Sequence, residues 1–174
     1  MTENRIPEPW LRGTLTEVHP VLRAVLHAIE LAKEDLQRWC GPLTDDQLNA
    51  RPGGVPSVAF HMRHIARSVD RLLTYAEGKE LDERQLKALA EEAEGNTSHA
   101  ALFEELERGL DRAASRIRQL GDAGLETPRY VGRKRLPTTV AGLLVHIADH
   151  TQRHIGQAIT TAKIVTAVGG PGEV

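Results

Sequence analysis

The chain has 174 residues, of which 40% are hydrophobic and 26% are charged, and its formal net charge is −2. This length and hydrophobic content predict a single domain over residues 1–174 with its own core, and the slight acidity argues against broad nucleic-acid binding. No apolar run reaches the roughly 18 residues of a membrane span, and the start MTENRIPEPW lacks the basic and apolar regions of a signal peptide. We therefore expect a cytoplasmic protein whose partners include neither nucleic acid nor membrane.

Aromatic residues make up only 3% of the chain. The core therefore has to be built from Leu, Ile, Val and Ala, a composition that suits packed helices better than a β-sandwich. Cys40 is the only cysteine, so an internal disulfide is impossible and the cysteine content does not indicate an oxidising compartment. These features favour an all-α fold.

The spacing of apolar residues predicts four long helices, at roughly 17–39, 57–77, 97–120 and 138–165. In the first helix the apolar residues from Val18 to Trp39 follow one another at alternating steps of four and three, and Gly41 ends the helix. Each helix carries a narrow apolar stripe, and four such stripes predict a four-helix bundle. We expect residues 166–174 to form a flexible tail.

The connections between these helices are longer than a minimal bundle requires. Within them, LTDDQLNA predicts a short helix with Thr44 as its N-terminal cap, and LDERQLKALAEEAE predicts another, whose charged residues we assign to a solvated face. The last connection carries four basic residues, Arg129, Arg133, Lys134 and Arg135. They are either solvated loop charges or a group that steers an anionic substrate toward a site on the following helix.

Three histidines, His146, His150 and His154, lie four residues apart in the apolar segment 140–165. Four residues advance an α-helix by about 400°, so successive members of the set lie one turn apart on the same side. Two neutral imidazoles at this spacing can bind one divalent ion. The apolar stripe of the segment includes His150 and His154, where each unsatisfied polar group would cost about 1–3 kcal/mol. The pattern therefore indicates a metal site, although core histidines that bond to side chains or water are the alternative.

A second group of histidines, His61 and His64, lies in the segment that predicts the second helix, so five of the eight histidines fall in two segments. A third metal ligand would come from this group. Both histidines lie at the edge of the apolar stripe of that helix, and its periodicity does not choose between them.

The motifs LTDDQLNARPGG, SVAFHMRHIA and HIADHTQRHIGQ, in this order and spacing, resemble the DinB/YfiT-like family of metal-binding four-helix-bundle proteins, which are usual in bacteria. The resemblance covers most of the chain. In that family, one histidine of the second helix and two histidines of an HxxxH motif in the fourth hold a divalent metal ion. The resemblance therefore implies His64, His150 and His154 as ligands, and zinc or nickel as the metal.

Three further residues lie within one turn of these ligands. His61 and His146 are candidates for orienting a ligand, carrying protons or replacing a ligand. Gln157 matches a glutamine that follows the motif in the family and is a candidate for holding a bound water.

Three neutral imidazoles leave a divalent ion with open coordination positions, as in catalytic rather than structural sites. The resemblance implies a metal-dependent S-transferase or isomerase, in which the thiolate of a low-molecular-weight thiol such as mycothiol, bacillithiol or glutathione reacts with an electrophile. It also implies a homodimer.

Two other classes of function stay open. One is a non-enzymatic module, dimeric and metal-binding or involved in a stress response. The other is a metal-dependent hydrolase in which Asp149 acts as the base that activates water. The segment HIADH superficially resembles the HxxEH pattern of zinc peptidases, but it has Asp rather than Glu beside His150.

Overall fold

A computed structural model describes residues 6–93, 96–121 and 124–168. The described chain is mostly helical, as the all-α prediction requires. Its α-helices are α1 (Pro20–Cys40), α2 (Asp45–Asn49), α3 (Val58–Ala76), α4 (Glu83–Ala90), α5 (His99–Leu120) and α6 (Val140–Val168). Two single 3-10 turns, Pro9–Leu11 and Pro52–Gly54, precede α1 and α3. None of the helices described is both long and apolar enough to cross a membrane.

The four long helices pack around one hydrophobic core. Helix α1 contacts α5 and α6, and α3 contacts the same two helices from the other side of the core. The largest side chains of the core are completely buried, among them Leu36, Met62, Ile65, Leu110, Leu144 and Ile147. Burial of apolar surface at about 25 cal/mol per Å² is what holds the helices together.

The short helices and the starts of the long ones follow local capping rules. Thr44 and Gln47 form a reciprocal capping box at the start of α2, which confirms the predicted cap. The hydroxyl of Ser57 accepts a hydrogen bond from the backbone of Phe60 at 3.1 Å, at the start of α3. Helix α1 begins at Pro20, three residues later than its predicted start, because proline is favoured at the first position of a helix.

The ends of α6 differ from the prediction. The helix begins at Val140 because Thr138 and Thr139 belong to a β-strand. It continues to Val168, so residues 166–168 are helical although they were expected in a flexible tail. The rest of that predicted tail, 169–174, lies outside the described residues.

A β-hairpin precedes α6, and the sequence did not predict it. Its strands, β1 (Pro128–Val131) and β2 (Leu136–Thr139), pair antiparallel with Pro128 opposite Thr139. The turn between them closes with a hydrogen bond from the backbone of Arg135 to the carbonyl of Gly132 at 3.0 Å. Both strands are half-buried or exposed, so they lack the apolar alternation by which strands are recognised.

Neighbouring residues of α6 offer a test of where the core lies. Leu144 is completely buried, whereas Val145 has an exposed fraction of 59%. Replacing Leu144 with Ala should lower the free energy of unfolding by about 2–5 kcal/mol, because it removes buried apolar surface and leaves a cavity. The control Val145→Ala should change it by less than about 0.5 kcal/mol. Urea unfolding of both variants measures the difference, and equal losses would contradict this packing.

Candidate metal centre

Helices α3 and α6 bring three histidines together, His64, His150 and His154. One ring nitrogen of each lies within 4.8 Å of the corresponding atoms of the other two. The Nε2 atoms of His64 and His150 are 3.3 Å apart, and the ring centroid of His154 lies 4.4 Å from that of His64 and 4.5 Å from that of His150. All three residues are half-buried. The described residues contain no other group of three or more His, Cys, Asp or Glu placed this closely.

The apolar stripe of α6 explains why two of these rings face α3. Ile147 and Ala158, which lie on the same stripe before and after the histidines, are completely buried. His150 and His154 are one helical turn apart and therefore point toward the same side as these residues. The hydrophobic packing of α6 thus places both imidazoles at the edge of the core.

A buried carboxylate orients the third ring. The Nδ1 atom of His64 lies 2.7 Å from Oε2 of Glu92, whose exposed fraction is only 5%. Arg71 donates to both carboxylate oxygens, at 2.9 and 3.4 Å, and Arg63 donates to the backbone carbonyl of Glu92 at 3.2 Å. Burial by itself would raise the pKa of Glu92, but the hydrogen bonds from His64 and Arg71 outweigh it and the pKa is lowered. The carboxylate is therefore ionised.

An ionised carboxylate only accepts hydrogen bonds, so Nδ1 of His64 carries a proton and donates a hydrogen bond to Glu92. The other ring nitrogen of His64, Nε2, is the atom that faces His150. Histidines that bind metals have the same arrangement, in which a carboxylate fixes the tautomer of the ring.

Glu92 was not among the site residues predicted from the sequence. The charged residues of LDERQLKALAEEAE were assigned to a solvated face, and for Glu92 that assignment is wrong. Helix α4 ends at Ala90, and the turn that follows it places Glu92 against α3. The available signal was Arg71, which follows His64 by two helical turns on the same side of α3 and, when buried, requires an anionic partner. That signal did not indicate which carboxylate it would be.

His61 lies beside His154 rather than in the group of three. The Nδ1 atoms of the two rings are 3.0 Å apart, and the exposed fraction of His61 is 3%. One of these nitrogens donates to the other. If His154 is the donor, its Nε2 atom has a free lone pair, and His61 then orients His154 as Glu92 orients His64.

The two other candidates on α6 are exposed. The ring centroid of His146 lies 5.3 Å from that of His150, but its side chain is on the solvent side of the cluster. Gln157 is also exposed. The structure therefore places neither residue within the group of three.

The surroundings of the cluster keep three imidazoles uncharged, those of His61, His150 and His154. Burial, reinforced by neighbouring imidazoles, lowers the pKa values of His61, His150 and His154 to about 4. Each of these three rings therefore has one nitrogen with an available lone pair at neutral pH. The Nδ1 atom of His150 is buried and has no hydrogen-bond partner among the described residues. Such a converging set of imidazoles could hold a metal ion.

The basic residues of the last connection lie elsewhere. Arg129, Arg133 and Arg135 line a cavity of about 490 Å³ between the hairpin and the end of α3, whereas Lys134 does not line it. Tyr75 also lines this cavity, and it follows His64 by eleven residues, or about 16 Å along the helix. The structure therefore separates the basic residues from the histidine cluster.

Comparison with protein families identifies the family of the chain. A model of the DinB superfamily matches residues 28–158, which is more than half of the chain. The chain belongs to the DinB superfamily. The segment that matches the DinB model contains all five histidines of α3 and α6, and it contains Glu92. The family resemblance of the sequence motifs is thereby confirmed. Among curated proteins, no match to the chain was found.

The lowered histidine pKa values predict how the stability of the metal-free protein depends on pH. Histidines of an unfolded chain have pKa values near 6.5, and those of His61, His150 and His154 are about 4 in the folded protein. Between these values the unfolded state binds more protons, so the free energy of unfolding should fall as the pH decreases from 6.5 to about 4. Urea unfolding in the presence of a chelator measures this dependence.

The variant His61→Phe removes one buried imidazole and keeps an aromatic ring at its position. The decline of stability with decreasing pH should be shallower in this variant than in the wild type. A free energy of unfolding that is constant or rises as the pH falls through this range would contradict the assignment of neutral, buried imidazoles.

Proposed function

We propose that His64, His150 and His154 bind one divalent metal ion, zinc or nickel, within a four-helix bundle formed by α1, α3, α5 and α6. The observation that carries this proposal is the convergence of three ring nitrogens to within 4.8 Å, from two helices that are distant in sequence. The ionised Glu92 supports it, because the bond to Nδ1 of His64 turns the other nitrogen of that ring toward the cluster.

The described residues supply three ligands and no fourth. This favours a catalytic role over a structural one, since structural zinc sites are closed by four protein ligands. A divalent ion in such a site lowers the pKa of a thiol or water that binds to it. Neighbouring side chains of the protein hold the imidazole rings of the proposed ligands in position. Glu92 fixes His64, His61 lies against His154, and the ring of Phe60 stacks on His64 with an interplanar angle of 14°.

We further propose that the reaction is the transfer of a low-molecular-weight thiol to an electrophile. In this reaction the sulfur forms a bond to an electrophilic carbon, the leaving group departs with the electron pair of its bond, and the thiol proton passes to solvent. Family membership and the open coordination of a three-histidine site support the proposal. Homodimerisation stays a prediction from the family resemblance.

The structure offers no support for hydrolysis through Asp149. Its carboxylate forms an ion pair with Arg153 on the solvent side of α6, and the side chains of both residues are more than half exposed. A base that activates water would have to face the histidine cluster. A non-enzymatic metal-binding module is the alternative, and the activity measurement below separates it from a transferase.

Metal content tests the first part of the proposal. Untagged wild-type protein, purified without added metal or chelator, should contain about one divalent ion per chain by elemental mass spectrometry. His150→Ala should contain almost none, because it removes one of three ligands. The control His146→Ala removes an exposed histidine of the same helix and should keep the metal. Absence of metal from the wild type after reconstitution with zinc and with nickel would contradict the proposal.

Activity tests the second part. The metal-loaded protein should accelerate the consumption of mycothiol, bacillithiol or glutathione by an aryl halide, and His150→Ala should not. Circular dichroism of the variant establishes that it is folded. Metal binding without acceleration of any thiol would favour the non-enzymatic module, and full activity in metal-free buffer would contradict the proposed mechanism.

Adjacent glutamates provide a matched test of the buried carboxylate. Glu92→Gln removes the charge that holds Nδ1 of His64, and we expect it to weaken metal binding by about 10–100-fold. The control Glu91→Gln changes a residue whose carboxylate is exposed and lies 3.9 Å from Lys87, so its metal affinity should equal that of the wild type. Competition with a chromogenic chelator measures both affinities. Equal affinities of the two variants would show that Glu92 does not orient a ligand.

A further inference from the structure

A cavity separate from the histidine cluster lies beside the β-hairpin. Its volume is about 490 Å³, and it is lined by the end of α3, the segment 78–81, Leu86 of α4 and the hairpin. Cavities that bind small molecules have volumes of about 300–1,000 Å³. Aromatic and aliphatic side chains form part of its wall, including Tyr75, Leu86 and Tyr130. The cavity therefore has the size and the apolar surface of a ligand site.

Cationic side chains dominate the rest of the wall. The cavity is lined by Lys79, Arg129, Arg133 and Arg135, and among the described residues Glu80 is the single carboxylate in the lining. Neither Arg133 nor Arg135 forms an ion pair with any residue in the described part of the chain. Unpaired guanidinium groups around a concave surface attract anions and can bind phosphate or carboxylate through paired hydrogen bonds.

Two of these arginines are held in position before any ligand binds. Arg129 donates from Nε to the carbonyl of Ala76 at 2.7 Å and from Nη1 to the carbonyl of Pro128 at 3.0 Å, which leaves Nη2 for another acceptor. The guanidinium of Arg135 lies 4.7 Å from the centre of the Tyr130 ring. Side chains fixed in this way lose less conformational entropy when they bind an anion.

The backbone of Arg135 provides an independent observation. Its φ is +49°, in the left-handed region that favours glycine, at the end of the hairpin turn. An arginine at this position makes the turn less favourable than a glycine would, so hairpin stability does not explain its presence. Residues held in such a conformation are concentrated at binding and catalytic sites. The side chain of Arg135 is therefore expected to have a role that glycine cannot supply.

We propose that this cavity binds a small organic anion. Arg129, Arg133 and Arg135 bind its phosphate or carboxylate group, and its apolar part packs against Tyr75 and Leu86. The site is about 16 Å along α3 from His64 and does not depend on metal binding.

Calorimetric titration of the full chain with phenyl phosphate, benzoate and inorganic phosphate tests the proposal. Phenyl phosphate or benzoate should bind with one site per chain, and the tighter of the two identifies the preferred anionic group. Inorganic phosphate should bind more weakly than phenyl phosphate, because it lacks the apolar part. No binding of any of these probes at millimolar concentration would overturn the proposal.

Variants of residues in the hairpin turn distinguish a specific anion site from general attraction of the anion to positive charge. Arg135→Gly should weaken binding of the preferred probe by about tenfold, and its melting temperature should be equal to or higher than that of the wild type, since glycine accepts this backbone conformation. Arg133→Gln should weaken binding similarly without a change in the backbone. Lys134→Gln removes the same charge from a residue that does not line the cavity, and its affinity should be unchanged.

His150→Ala locates the binding within the molecule. The substitution removes a residue of the histidine cluster, and the variant protein should bind the preferred probe with the affinity of the wild type. Loss of binding in this variant would place the anion at the histidines, and an equal loss in Lys134→Gln and Arg135→Gly would show nonspecific attraction. Either result would overturn the proposal.

Discussion

The buried carboxylate of Glu92 is the constraint on which the geometry of the histidine cluster depends. An unpaired ion in a protein interior costs several kcal/mol, so a carboxylate this deeply buried requires partners that replace water. Arg71 and His64 donate to the carboxylate, and Arg63 donates to the backbone carbonyl of the same residue. Three side chains of α3 therefore hold the turn that follows α4, and the same contacts fix the ring of His64.

Apolar packing positions the two other rings and also sets their charge. His150 and His154 lie on the stripe by which α6 joins the core, so the side of α6 that faces α3 is determined by the burial of neighbouring residues such as Ile147. The same burial lowers the pKa values of both histidines to about 4. One physical effect thus brings the rings together and keeps their nitrogens free of additional protons.

Helix α4 connects the cavity beside the hairpin with the histidine cluster, although none of its residues is buried. Leu86 lies near the start of the helix and lines the cavity beside the hairpin. Glu92 lies two residues beyond the end of the helix and contacts His64. Polar contacts attach the helix to α3, since Gln85 donates to Asp70 at 2.6 Å and to Thr74 at 2.8 Å. The arrangement of this side of the molecule therefore depends on specific hydrogen bonds more than on apolar burial.

The sequence by itself determined the long helices, the cap of α2 and the spacing of His150 and His154, because all three follow from residues within one or two helical turns. Periodicity left His61 and His64 open, and the family resemblance implied His64. Only the tertiary structure brings His64 into the group of three, since this depends on which side of α3 faces α6. The role of Glu92 and the hairpin also could not be predicted from the sequence. The turn that places Glu92 against α3 and the pairing of two exposed strands produce no periodic pattern of apolar residues.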